Sequence, residues 1–282
     1  MTANKNPASN FVWTDLSSYD VGASATFYQT VFGWTCHDMG RSLPAPDDRF
    51  GMDQVAYHLA TKGDRTVAGI FDMTPFFQKI KMPPFWMSYL TVRDIHAVVA
   101  EAKATDGATV DVPPCPFGDG TMALIRDPLG AGFTCYEGPD INSKGDGTRS
   151  GQMIWNELFT EDIVAVEPFY SRVLGFNLVR DADADSQRVR VLNANGEEIA
   201  GIQAAPASVR SEKVYWLPLF SVDRLAKSGP IVTQAGGQII SKNEGADGYA
   251  TAVCYDNTGA AFGLAEIGGK EGNTRPWYRW LF

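Results

Sequence analysis

Two tripeptides set an indole and a carboxylate two residues apart, Trp13-Thr14-Asp15 and Trp155-Asn156-Glu157. On a β-strand that spacing sends both side chains to one face. A carboxylate beside a flat apolar wall could serve as a general base, or as a counter-charge for a cationic ligand. It could equally cap the next helix or pair with Arg188 or Arg190, because a buried carboxylate without a partner is costly. The three histidines, His37, His58 and His96, are scattered. His58 lies in a strand-like segment that could face a site, while His96 opens a helix and suits solvent. Cys36, Cys115, Cys135 and Cys254 form no CxxC pair and no zinc-like spacing, which fits reduced structural thiols.

The elements that must carry these groups come from an internal repeat. Residues 11–34 and 153–176 align with Trp13 on Trp155, Asp20 on Asp162, Phe27-Tyr28 on Phe169-Tyr170 and Gly33 on Gly175, each pair 142 residues apart. Further along, Ala68-Gly69-Ile70 matches Ala200-Gly201-Ile202, Trp86 matches Trp216 and Asp127 matches Asp256, with the spacing shrinking where loops should lie. The turn-rich stretch Arg41–Asp48 is the expected insertion in the first copy. The spans expected are an N-terminal tail over 1–10, domains over 11–137 and 151–267, a polar Gly-rich linker over 138–150 and an aromatic tail over 268–282.

Each copy reads as strand, helix and three strands, twice over. In the first copy, strands are expected near 11–16, 34–39, 52–60 and 66–71, with a turn at Lys62-Gly63-Asp64 and a helix over 20–32. The second copy's helix follows Glu161-Asp162; Pro168 inside it should kink it or delay its start. Asp94 to Ala104 is amphipathic, whereas its counterpart after Asp223 should be broken at Ser228-Gly229-Pro230.

These motifs, W-x-[DE]-L, D-x(6)-F-Y-x-x-[VL]-[FL]-G-[WF], A-G-I and D-[PN]-x-G-A-x-F, occur in the same order twice. Together they resemble the glyoxalase, bleomycin-resistance and extradiol-dioxygenase superfamily, also called vicinal oxygen chelate, in its fused two-domain form. The resemblance implies an α+β fold: two tandem domains, each a pair of βαβββ modules forming an incomplete barrel around a cavity. It also implies metal ligands on the first, fourth, fifth and eighth strands of each domain. Those positions fall at Trp13, Gly69, Met87 and Thr134 in one copy, and at Trp155, Gly201, Leu217 and Gly263 in the other. None supplies the imidazole, carboxylate or thiolate expected of a divalent-metal ligand, so no metal and no other cofactor is expected.

Glycine at the fourth-strand position is expected to open room, with Trp13 or Trp155 as a wall. The ligand-binding candidates are therefore Trp13, His58, Gly69, Met87, Tyr89, Thr134, Trp155, Gly201 and Leu217, and the catalytic candidates Asp15 and Glu157. Tyr89 has Leu219 as its counterpart, which makes the first copy the more polar. The reading is a metal-independent protein that binds a small organic molecule in an aromatic-lined cavity. Two alternatives stand beside it: an enzyme of lyase, isomerase or hydroxylase type using a cavity carboxylate or an unrecognised metal site, and a structural or interaction protein with vestigial pockets.

Composition narrows the partners. Across 282 residues, 24 Lys and Arg against 33 Asp and Glu give a net charge of −9 with no basic cluster, which disfavours nucleic acid. There is no apolar run of the roughly 20 residues a spanning helix needs, and no signal-like N-terminus, so a cytoplasmic protein is expected. The tail Arg275–Phe282 is too aromatic to stay in water and should dock within the chain or on a second copy, leaving monomer and homodimer both open.

Overall fold

The computed structural model describes residues 9–40, 55–139, 141, 144–180, 187–210, 213–244 and 250–267. The Arg41–Asp48 insertion, residues 1–8 of the N-terminal tail and the aromatic tail lie outside them. Among the described residues two eight-stranded sheets form, one from each copy. In the first copy the order along the chain is β1 (Phe11–Ser18), α1 (Val21–Phe32), β2 (Thr35–Asp38), β3 (Tyr57–Lys62), β4 (Arg65–Asp72), α2 (Pro75–Lys79), β5 (Phe85–Thr91), α3 (Ile95–Lys103), β6 (Thr109–Phe117), β7 (Gly120–Arg126) and β8 (Gly132–Glu137). The second copy runs β9 (Met153–Thr160), α4 (Ile163–Leu174), β10 (Asn177–Arg180), β11 (Arg188–Leu192), β12 (Glu198–Ala204), α5 (Ala207–Arg210), β13 (Tyr215–Val222), α6 (Leu225–Gln234), β14 (Gln238–Glu244), β15 (Ala250–Tyr255) and β16 (Ala261–Glu266).

Strand order is β2-β3-β4-β1-β5-β8-β7-β6 in one sheet and β10-β11-β12-β9-β13-β16-β15-β14 in the other. Each module closes by a parallel pairing of its first and last strands, β1 with β4, β5 with β8, β9 with β12 and β13 with β16. The architecture is α+β with open mixed sheets, as the motifs implied.

The residues shared by the two copies explain why these elements start and stop where they do. Asp20 accepts the Ala23 N–H at 2.8 Å and Asp162 accepts those of Val164 and Ala165, capping α1 and α4. Gly33 and Gly175 end the same helices in the left-handed region, at φ of 71° and 66°, where a side chain would strain the backbone. Pro168 neither delays nor breaks α4, which begins directly after its cap. The expected break in α6 is also absent: Leu225–Gln234 is one helix through Pro230. Both prolines are exposed, so each ring and the carbonyl it leaves unbonded sit on the solvent side, while Ile163, Val166, Phe169, Tyr170, Val173 and Leu174 hold α4 from below. The short helices α2 and α5 had no sequence expectation.

The contacts divide the chain into two compact units. The first contains residues up to Val12, Ser88–Ile141 and Asn156–Trp216; the second contains Trp13–Met87, Asn142–Trp155 and Leu217 onward. Each unit thus combines half of one copy with half of the other. In the first unit the Trp216 indole donates to the Tyr170 hydroxyl at 3.0 Å, which donates to the Asp127 carboxylate at 2.9 Å. In the second, Trp86 donates to Tyr28 and Tyr28 to Asp256, both at 2.9 Å. Burial, then the adjacent carboxylate, holds both phenols well above the ordinary tyrosine range. The aromatic matches that revealed the repeat are these two relays, and around the second pack Phe27, Phe32, Trp34, Phe220 and Phe262.

Candidate functional site

In the second unit, β1 and β4 run parallel with Asp15 opposite Gly69. Trp13 and Asp15 share a face, as strand alternation requires, and the indole N–H donates to Asp15 Oδ1 at 2.5 Å. The Tyr57 hydroxyl donates to the same oxygen at 2.6 Å. Asp15 is 1% exposed. The fourth-strand glycine does not leave a void: a Cβ on Gly69 would overlap the Tyr57 hydroxyl and the Asp15 carboxylate. The room expected at this position is filled by the sheet's own side chains. Phe71, one strand-alternation step beyond Gly69, lies nearly parallel to the Tyr57 ring, 16° apart with centroids at 6.4 Å.

His58 does not join this group. Its neighbours Tyr57 and Leu59 take the face of Gly69, and His58, paired with Ile70, points to the other. Its Nδ1 is buried with no hydrogen-bond partner among the described residues. Met87, the fifth-strand position, uses its carbonyl to accept from Thr14 at 3.1 Å.

Within the first unit, Tyr89 and Thr134 are brought opposite each other by the parallel β5–β8 pairing, and Tyr89 packs on Phe117 at 5.7 Å. The unit also holds Glu157, fully buried and gripped through two bonds by Arg188: Nε to Oε1 at 2.6 Å and Nη2 to Oε2 at 3.0 Å. Of the readings open for Glu157, the structure shows the ion pair. Here too the glycine is obligatory, since a Cβ on Gly201 would overlap Arg188 Nη2 and both Glu157 oxygens. Arg190 pairs with Glu198 at 3.3 Å, and Gln203 Oε1 is buried without a hydrogen-bond partner among the described residues.

Back in the second unit, Trp155 is 1% exposed and Leu217 fully buried. The eighth-strand position, Gly263, is closed by Leu219 and Leu217, which a Cβ there would meet. Of the cysteines, burial pushes the Cys254 thiol up to about 12 and the Cys135 thiol higher still, leaving both as unreactive core groups.

A divalent metal needs several His, carboxylate or thiolate donors converging on one point. Among the described residues no three such groups do so. The positions that would carry them hold indole, glycine, thioether, aliphatic and one hydroxyl group, and the carboxylates beside them already accept Tyr57, Trp13 or Arg188. The described residues do not fit the ion.

Open mixed sheets built from βαβββ modules, each closed by a parallel first and fourth strand, define the class, and the comparisons agree with it. The model of the glyoxalase/bleomycin resistance protein/dioxygenase superfamily matches residues 10–134. Over 254 residues the chain is 32% identical to CFP32 of Mycobacterium tuberculosis, a protein with a provisional glyoxylase name, covering 89% of this chain and 92% of that one. It is 27% identical over 270 residues to the anthracycline biosynthesis protein DnrV of Streptomyces peucetius, covering 90% and 92%. Among solved structures, the 2,3-dioxygenase LapB from Pseudomonas sp. KL28 superposes with a TM-score of 0.58 at 15% identity, covering 95% of each chain. The Mn(II)-bound glyoxalase from Novosphingobium aromaticivorans also scores 0.58, at 13% identity, covering 95% of this chain and 85% of that one. The chain belongs to the glyoxalase/bleomycin resistance protein/dioxygenase superfamily.

Proposed function

We propose that the protein binds a small organic molecule without a metal ion. One observation carries this: at the fourth-strand corner of each copy, glycine stands where the superfamily's metal enzymes keep a ligand, and a tyrosine or arginine of the same sheet reaches over it to the first-strand carboxylate. Such corners recognise a ligand by shape, ring contact and hydrogen bonds rather than by chelation. Tyr57, half-buried, is the group a ligand would meet first, with Trp13 and Phe71 buried behind it and Asp15 orienting its hydroxyl.

A thermal-shift screen of aromatic metabolites and antibiotics tests it, run on wild type and on Trp13→Phe, with chelator present throughout. The expected result is a stabilising compound whose shift shrinks in Trp13→Phe. Compounds that stabilise only when a divalent metal is added would count against the reading.

An enzymatic reading has one observation of its own, the short chain from the Tyr57 hydroxyl to Asp15, which could move a proton at a carbonyl-bearing ligand. Turnover of any compound found by the screen, lost in both Asp15→Asn and Tyr57→Phe with binding retained, would favour it.

A further inference from the structure

The same three-residue arrangement is built twice. It is Asp15 on β1, Tyr57 on β3 and Gly69 on β4 in the second unit, and Glu157 on β9, Arg188 on β11 and Gly201 on β12 in the first. Strand registers make the match positional as well as chemical. Asp15 pairs with Gly69 and Glu157 with Gly201. Leu59 lies opposite Gly69 and Arg190 opposite Gly201, so Tyr57 and Arg188 each stand two residues earlier, on the same face as the glycine. In both copies a Cβ on the glycine would overlap both the donor from the third strand and the carboxylate from the first.

We propose that Tyr57 and Arg188 are positioning residues that take over the metal's place: a built-in hydrogen-bond donor in one copy and a built-in cation in the other. The proposal deepens the metal-independent reading and rests on it. A guanidinium does for Glu157 what a bound cation does for a carboxylate ligand. It supplies positive charge, fixes both oxygens through parallel N–H bonds, and joins strands β9 and β11 across the glycine between them. Tyr57 performs the same joining of β3 to β1 with a neutral donor. Glycine on the fourth strand is the geometric condition for either, because any side chain would occupy the volume through which the donor reaches. The two corners are therefore unequal in kind, and neither offers an ion for a ligand's paired oxygens to chelate.

The test is a melting-temperature cycle on the full chain. Arg188→Ala should lower the melting temperature by about 10 °C, as stripping a buried carboxylate of its partner does in a chain of this size. Millimolar methylguanidinium should restore much of that loss while leaving wild type unchanged. Gly201→Ala should be strongly destabilising alone and cost less on top of Arg188→Ala, because the overlap with Nη2 is then gone and the Glu157 carboxylate, still in the way of the Cβ, is no longer held in place by the guanidinium. Should Arg188→Ala not fold, Gly69→Ala measured with and without Tyr57→Ala gives the same cycle in the other copy. Additive penalties and no rescue, with a wild type indifferent to chelator, would remove the surrogate role and leave metal independence standing. A wild type destabilised by chelator would overturn both.

Discussion

Single groups set the terms of this molecule. Glu157 is fully buried with its charge answered by Arg188, so Glu157→Leu, which strands the guanidinium, should cost about 3–5 kcal/mol in denaturant unfolding. Replacing both partners by apolar residues of similar volume should cost far less, and a double-mutant cycle would measure the difference. The buried phenols give a pH signature. Tyr28 and Tyr170 have folded-state pKa values raised well above the ordinary tyrosine value of 10.0, so the unfolded chain loses their protons first as pH rises. Stability they contribute is intact below that value and declines as pH climbs through and beyond it. Tyrosinate absorbance should therefore lag in the native protein and jump on alkaline unfolding, and Tyr28→Phe should reduce the jump. A smooth titration of all ten tyrosines near pH 10, with the fold intact, would contradict this assignment.

At the scale of elements, helix ends were written plainly in the residues: Asp20, Asp94 and Asp162 cap α1, α3 and α4 through their side chains, and Gly33 and Gly175 terminate α1 and α4. Proline misled, because its cost depends on which side of the helix the ring faces, and neither Pro168 nor Pro230 faces the core. Pro168→Ala should raise stability by about 1–3 kcal/mol, visible as a higher denaturant midpoint with an unchanged slope, since it restores one helical bond and touches nothing buried. The candidate site was half legible. Alternation along one strand was enough to put Asp15 beside Trp13. Tyr57 was invisible, since its role depends on the phase and register of β3, which follows a long insertion and carries no shared motif. Arg188 could be weighed as a partner for Glu157, but the common geometry of Tyr57 and Arg188 emerges only from pairing across strands. The glycines were seen as space where they are in fact clearance for a neighbour.

For the whole molecule, the tandem repeat was readable while its consequence was not. Tyr28 of the first copy bonds Asp256 of the second, and Tyr170 of the second bonds Asp127 of the first. Each compact unit draws on both copies, so neither copy owns a complete core. Residues 1–141 produced alone should leave the aromatic face of α1 without Phe220 and Phe262, and should aggregate or self-associate on size exclusion. Co-production with residues 142–282 should return a one-to-one complex; a stable, monomeric first half would count against interdependent copies. No described helix is long and apolar enough to cross a membrane.

On the reading proposed above, side chains of the two sheets stand where the superfamily's metal would be held. Elemental analysis of full-length protein purified without chelator, followed by calorimetric titration with manganese(II), addresses it most directly. The expected result is no stoichiometric metal and no saturable uptake; one tightly held ion per chain, lost on mutating Asp15 or Glu157, would refute the replacement.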